Sequence, residues 1–434
     1  MCCLVTIDER KSDRMNYIRK KIYYGWIVTF VGFLMIGLSV GLQVNCNVAF
    51  MKPMSNDMGF SISQIALNTS ITSVVAIPCY IIIPKVLKKI SFRSLAAVSG
   101  ISYLIFKILF AFSTELWQFY LVSVMIGISL PGLGFITVNS LVDGWFHAKR
   151  GLAIGIAATG AGVTGAVFLP IITGIIEMHG WRNAYLFQAL VIFIMLTISL
   201  LLIRNTPESI GLKPYGYKNE QVATIQKYGY TIKQVLIMPA YYILLIGIIC
   251  LSIIGLGMQT YLMSYLSNEG YDVIFASNIV SLILIIATIG KIVIGLALDR
   301  LGVKYVGLFI GACFLLSLIL LSFVGNHILI AYIFAVIFGI SYVSLSIPIP
   351  YLIINLFGSK DFTAIYGVVL IVTSTGSTIG SILTGLIYDN TGSYQAAWTL
   401  YMCMSIVLAV SIQITCRMVK NNLFIIGITA LFKK

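Results

Sequence analysis

The chain has 434 residues, 59% of them hydrophobic and 10% charged, with a mean hydropathy of +1.00 and a formal net charge of +14. That balance excludes a soluble domain, whose surface needs far more charge than this. The basic excess invites a nucleic-acid partner, but almost all of the 28 Lys and Arg fall on one set of alternate loops, which removes that reading.

Residues 1–23 are polar and mixed in charge. They hold no short apolar core before a small-residue cleavage site, so they read as a cytoplasmic N-terminal segment, with the first span as its own insertion signal. About twelve apolar runs follow, each about 20 residues and so long enough to cross roughly 30 Å of hydrocarbon as a helix. They cover 24–49, 62–84, 94–112, 116–141, 151–176, 184–203, 240–266, 275–298, 303–324, 328–357, 363–388 and 396–416. The expected fold class is an all-α integral membrane protein with about twelve transmembrane helices.

Within the runs, Pro131 with Gly132 and Gly134, and Pro348 with Pro350, break the hydrogen-bond ladder and predict kinks in the fourth and tenth spans. Gly151, Gly155, Gly160, Gly162 and Gly165 in the fifth span, like Gly367, Gly376 and Gly380 in the eleventh, let helix backbones approach closely. Residues 204–238 are polar and contain Pro207 and Pro214. They divide the chain into an N-terminal six-helix bundle (24–203), a cytoplasmic linker (204–238), a C-terminal bundle (239–416) and a cytoplasmic tail (417–434). A shift of 212 residues lays Glu177 and Gly180 on Asp389 and Gly392, Ala184 on Ala396, Gly155 on Gly367, and Asn47 on Gln259. A duplicated six-span unit whose halves rock about a central site is a transporter architecture.

With the N-terminus in the cytoplasm, the expected outer loops hold only Lys52 and Arg182, so both termini are expected inside, in a multi-pass plasma-membrane protein. Attraction to anionic lipid accounts for the basicity and makes the bilayer, not nucleic acid, the partner. All 14 acids fall outside the spans, whereas Lys107 and Lys291 lie within them. Lys107, near the outer end of the third span, is expected to snorkel to the surface. The eight cysteines show no C-x-x-C spacing, so neither metal nor disulfide is expected, and Cys2–Cys3 beside a basic segment leaves acylation open. His147, His179 and His327 fall in loops and offer no proton relay. Residues 423–432 are too short to span and are expected along the cytoplasmic surface.

Where the eighth run ends, Gly295-x-x-x-Asp299-Arg300-x-Gly302-x-Lys304 resembles the cytoplasmic loop signature of the major facilitator superfamily. The resemblance implies the major facilitator fold of two pseudo-symmetric six-helix bundles. It also implies gating roles for Gly295, Asp299, Arg300, Gly302 and Lys304, the Asp capping a neighbouring helix. The first-half copy at 84–93 keeps the positive charge but has Leu87 and Ile90 where the Asp and Gly would fall. Tyr24-Gly25-Trp26, Asp57-Met58-Gly59-Phe60-Ser61-Ile62-Ser63-Gln64-Ile65, the segment Trp145–Gly155 and Gly180-Trp181-Arg182-Asn183-Ala184-Tyr185 resemble helix entries of the monocarboxylate transporter and oxalate:formate antiporter group.

Lys291 sits about 7–8 Å below the expected midplane, taking 1.5 Å per residue. An intramembrane cation that faces neither water nor a partner costs roughly 2.5–3.5 kcal/mol, so it needs a ligand or a route to the surface by snorkelling. In the resembling group a basic residue four positions before this Gly binds the substrate carboxylate, and Lys291 occupies that position before Gly295. Proton-coupled carriers of the group have an Asp one turn earlier, where this chain has Ala287, and oxalate carriers have a second cation in the eleventh span, where it has none. One buried cation suits one carboxylate. Polar partners expected around it are Gln43, Asn47, Gln259, Tyr261, Tyr342, Ser346 and Thr373. The expected activity is transport of small organic anions, most of all monocarboxylates, by a monomer with a proton or counter-anion as co-substrate and no cofactor. A drug exporter of the same superfamily is the alternative, and a non-transporting sensor a weaker one. With no intramembrane acid or histidine, an enzyme is not expected.

Overall fold

In the computed structural model the structure describes residues 23–431 apart from positions 88, 147–148, 217–228, 347 and 359. Cys2, Cys3, His147 and the middle of the linker lie outside the described residues. Among the described residues, eleven helices are long and apolar enough to cross a membrane, and the longest, Gly151–Leu202, breaks at Gly180 into two. That gives the twelve crossings that the hydropathy predicts.

In chain order these are α1 (Gly25–Met58), α2 (Ile62–Val86), α3 (Phe92–Phe112), α4 (Leu116–Trp145), α5 (150–179), α6 (181–202), α7 (Pro239–Asn268), α8 (273–301), α9 (303–321), α10 (328–357), α11 (Phe362–Thr391) and α12 (Gln395–Leu431). The last helix continues unbroken to Leu431, so residues 423–431 extend α12 rather than forming the separate surface helix expected there.

Glycine supplies the sharp turns. Gly180 (φ 80°) and Gly302 (φ 78°) hold the left-handed backbone that lets α5 fold back into α6 and α8 into α9. Gly392 (φ 69°), 212 residues after Gly180, also has a positive φ, but it caps the end of α11 in the left-handed helical conformation (ψ 5°), whereas Gly180 is extended in ψ (162°). At the first-half counterpart of Gly302 stands Ile90, and there Ser91 starts α3 instead by accepting a hydrogen bond from the Ser94 amide at 3.1 Å. A capping box starts α2: the Ser61 hydroxyl accepts from the Gln64 amide, and the Gln64 side chain accepts from the Ser61 amide.

The motifs that carry the resemblance meet in space. Trp26 packs on Phe146 at 5.0 Å between ring centroids, and the Tyr23 hydroxyl donates to the Lys213 carbonyl at 2.9 Å, tying α1, α4 and the linker together. At the opposite end the Trp181 indole donates to the Asp57 carboxylate at 2.9 Å. The end that bears the linker is called the linker face below, and the opposite end the far face.

The kinks fall where the prolines predict them. A tighter turn at Leu130–Gly132 breaks α4, and Val343–Leu345 breaks α10 before Pro348 restarts it. A wide π-helical stretch, Gly37–Asn45 in α1, is a feature that proline and glycine spacing does not signal.

Glycines bring the helices together in equivalent pairs. A Cβ on Gly160 of α5 would strike the Phe33 backbone of α1, and one on Gly376 of α11 would lie 2.9 Å from the Ile249 carbonyl of α7. The two halves meet through α5 against α8 and α2 against α11. There a Cβ on Gly165 would lie 2.8 Å from Leu284, and one on Gly385 2.9 Å from Ser63, near the far face. Toward the linker face, Gly151, Gly155 and Gly367 have open space where a Cβ would stand. The close glycine contacts between the halves thus lie from mid-depth to the far face.

Candidate functional site

A cavity of about 320 Å³ lies at mid-depth between the halves, walled by α1, α2, α4, α5, α7, α8, α10 and α11. Among its lining residues Lys291 is the one charged side chain, and none is Asp or Glu. Leu284, Ala287, Thr288 and Lys291 recur at three- and four-residue spacing, which stacks them on the cavity face of α8. The Lys291 ammonium donates to the Ala158 carbonyl of α5 at 3.5 Å, the outer limit for such a bond. An ammonium carries three N–H donors, so most of its capacity is directed into the cavity. Ala287 stands one turn away, and the wall carries no acid there.

Four of the sequence-derived candidates line this cavity: Lys291, Tyr342, Ser346 and Thr373. Tyr342 and Ser346 flank the broken segment of α10, so the kink is what turns both toward the centre. Gln43 lines an adjoining chamber of about 210 Å³, where its side chain accepts a hydrogen bond from the Tyr103 hydroxyl at 3.2 Å. The two chambers share Val40, Val44, Thr69, Ser73, Phe135 and Ser374.

The other three candidates point elsewhere. Asn47 accepts a hydrogen bond from Lys107 at 3.3 Å. The Tyr261 hydroxyl is buried and donates to the Ser381 carbonyl at 2.8 Å, fastening α7 to α11. Gln259 is buried with neither amide atom hydrogen-bonded among the described residues. The repeat supplies a reason: Gln259 corresponds to Asn47, but the counterpart of Lys107 is Ile319, so the partner is missing from the second half.

Lys107 itself overturns an expectation. It is 1% exposed, inside the N-terminal half, and does not snorkel. Its ammonium lies 5.0 Å from the ring centre of Tyr185, 5.9 Å from that of Tyr103 and 6.0 Å from that of Phe110. Aromatic faces attract a cation, and with Asn47 they replace the water it gave up. Ser99, Tyr103, Lys107 and Phe110 all lie on the buried stripe of α3, which turns the lysine inward.

Asn45 and a wall of hydroxyls are the lining residues missed at the sequence level. Asn45 ends the π-helical stretch and donates to the Ala161 carbonyl at 3.0 Å. Ser374, Ser377, Thr378 and Ser381 follow the expected Thr373 in the run T-S-T-G-S-T-I-G-S of α11, joined by Thr69, Ser70 and Ser73 of α2. That run is legible as a polar stripe in an apolar helix, but small hydroxyls attract less notice than Gln or Tyr.

At the far face the Lys52 ammonium donates to Asn268 at 2.9 Å, and Asn268 donates to the Tyr388 hydroxyl at 2.9 Å, a latch linking α1 to α7 and α11. At the linker face, the loop signature turns on Gly302, Arg300 is exposed, and the Lys304 carbonyl accepts from Gln413 of α12 at 2.8 Å. At Gly295 and Asp299 the structure describes the helical backbone alone.

The family model of the Major Facilitator Superfamily matches residues 26–357 and 270–420. Monocarboxylate transporter 12 of Mus musculus is 24% identical over 417 residues, covering 87% of this chain and 82% of that protein. The uncharacterised transporter ESBP6 of Saccharomyces cerevisiae is 25% identical over 286 residues, which covers 64% of this chain but only 42% of the yeast protein. Among solved structures, that of the nucleoside transporter NupG superposes with a TM-score of 0.72 over 91% of this chain and all of NupG, at 14% identity.

Proposed function

The chain belongs to the major facilitator superfamily and is a multi-pass membrane transporter, and we propose that its cargo is a small monocarboxylate bound at Lys291. The observation that carries this reading is the cavity itself, with one ammonium, no acid and open donor directions at the plane where the halves meet. A carboxylate entering from water exchanges its hydration for a charge-assisted bond to Lys291, supported by the hydroxyl of Tyr342 on the same wall. Similarity to a monocarboxylate transporter over most of the chain supports the same class.

Transport then follows from two packings of the same halves. The far-face latch and the α5–α8 and α2–α11 contacts hold one side shut while the other is open. Rocking about the cavity exposes Lys291 to each side in turn, and Gly302, Arg300 and Lys304 fasten the linker face in the opposite state. In this reading the linker and both termini are cytoplasmic, the membrane is the plasma membrane and the protein works as a monomer. With no carboxylate on the cavity wall, a co-transported proton rides on the substrate or on Lys291, or a second anion exchanges for the first.

The test is uptake into proteoliposomes of labelled lactate, pyruvate, formate or oxalate, set beside efflux of a lipophilic cationic dye. Saturable uptake of a monocarboxylate, abolished in Lys291→Ala and partly kept in Lys291→Arg, is the expected result. Dye efflux without uptake of any of these acids overturns the reading in favour of a drug exporter.

A further inference from the structure

We propose a second anion-binding site at the far face, in which Lys52 takes a small monovalent anion in exchange for its latch to Asn268. The site shares no lining residue with the cavity around Lys291 and does not depend on what that cavity carries.

A chamber of about 150 Å³ lies at the far face between the halves, with Lys52 and Asn56 of α1 and Ser264 and Ser267 of α7 as its polar lining. It stands over the central cavity, because the same helix faces border both. On α7, Ser252, Leu256 and Thr260 border the cavity, and Ser264 and Ser267 carry that stripe into the chamber at four- and three-residue spacing. On α1, Asn45 borders the cavity, and Val48, Ala49 and Lys52 follow it into the chamber. One helical turn, about 6 Å from Thr260 to Ser264, separates the two spaces.

Lys52 is the one charged side chain among the chamber's lining residues. Its ammonium gives one of three N–H donors to Asn268 at 2.9 Å, which leaves two for a ligand. Among the described residues no hydrogen bond occupies the Asn56 amide or the Ser267 hydroxyl. The acids of this face are engaged away from the chamber. Asp57 accepts from the Trp181 indole, Asp272 accepts from the Ile274 amide of its own helix, and Glu269 reaches Gly325. A cation with neutral donors and no competing carboxylate on the wall is the chemistry of a small-anion site. Asn268 is a neutral acceptor, so an anion is the stronger partner for the ammonium. An anion that takes Lys52 frees α1 from the latch, while Asn268 stays on the Tyr388 hydroxyl. Latch and anion compete for one ammonium, so each weakens the other by the same factor.

The experiment follows reductive methylation of Lys52 by formaldehyde and dimethylamine-borane in the detergent-solubilised full chain, read by mass spectrometry. Lys233, exposed at the linker face, is the internal reference. Sodium lactate and sodium chloride are the probes, set against a bulky sulfonate buffer at equal ionic strength. The expected result is that Lys52 is slowed at least about threefold relative to Lys233. Protection by lactate alone identifies a carboxylate station, and equal protection by chloride a general site for monovalent anions. The protecting concentration should fall about twofold to fivefold in Asn268→Ala, which removes the competitor, and protection should persist in Lys291→Ala. A rate at Lys52 that neither probe alters, in the wild type and in Asn268→Ala, overturns the proposal, as does equal slowing at Lys233. An unchanged protecting concentration in Asn268→Ala refutes the exchange with the latch. Loss of protection in Lys291→Ala also overturns the site, because the anion then acts through the central cavity. If Lys291 proves to have no part in binding the cargo, protection at Lys52 still stands.

Discussion

Lys107 in the N-terminal half and Lys291 in the C-terminal half are both ammonium groups held within membrane-spanning helices, in opposite surroundings. Asn47 and the rings of Tyr103, Phe110 and Tyr185 enclose the first, whereas the second has one long bond to a carbonyl and otherwise faces a cavity. The lesson is that burial of a charge does not mark a site. What separates the two is unspent donor capacity directed into space that a ligand can fill.

The largest effect is expected from removing the open lysine. Lys291→Ala should weaken carboxylate binding by about a hundredfold or more, the consequence of losing about 3–5 kcal/mol of a desolvated charge pair. Ligand-induced thermal stabilisation checks this, and the unliganded protein should unfold no earlier than the wild type, since no protein carboxylate loses a partner.

The enclosed lysine should behave in the reverse way. Lys107→Ala leaves a hole between three rings and an unpaired Asn47, at a cost of about 2–4 kcal/mol. The measurement is a lowered unfolding temperature in detergent, with uptake per folded molecule within about twofold of the wild type. Lys107→Met, which fills the space without the charge, should recover most of the stability.

A glycine pair on one helix probes the same difference between closed packing and open space. Gly160→Ala pushes a methyl into the Phe33 backbone and should cost about 1–3 kcal/mol, while Gly155→Ala meets nothing and should stay within about 0.5 kcal/mol. Equal losses for both would remove the contrast. The smallest effect is expected at the far-face latch, where Asn268→Ala breaks two exposed hydrogen bonds and should cost less than about 1 kcal/mol. Its readout is faster labelling of a cysteine introduced at Asn56, which lines the small chamber beside Lys52.

The helices and their duplication were legible because apolar runs and glycine turns are local signals, and Gly180 and Gly392 both turn the chain with a positive φ. The cavity was legible in part. Lys291 announces itself as a charge in an apolar run, whereas Asn47 and Tyr261 share its approximate depth but not its direction. Direction depends on helix rotation, and in α1 the π-helical stretch before Asn47 changes that rotation in a way no residue type predicts. The error over Lys107 has a local remedy. Depth suggests snorkelling, but its spacing from Ser99, Tyr103 and Phe110 places it on the inward stripe of α3.

The contrast between the two lysines is tested most directly by measuring labelled lactate uptake in proteoliposomes for the wild type, Lys291→Ala and Lys107→Met side by side, at matched reconstitution. Uptake at background in Lys291→Ala and near the wild-type rate in Lys107→Met is the predicted result. Wild-type kinetics in Lys291→Ala would contradict it, leaving that lysine with no part in binding the substrate.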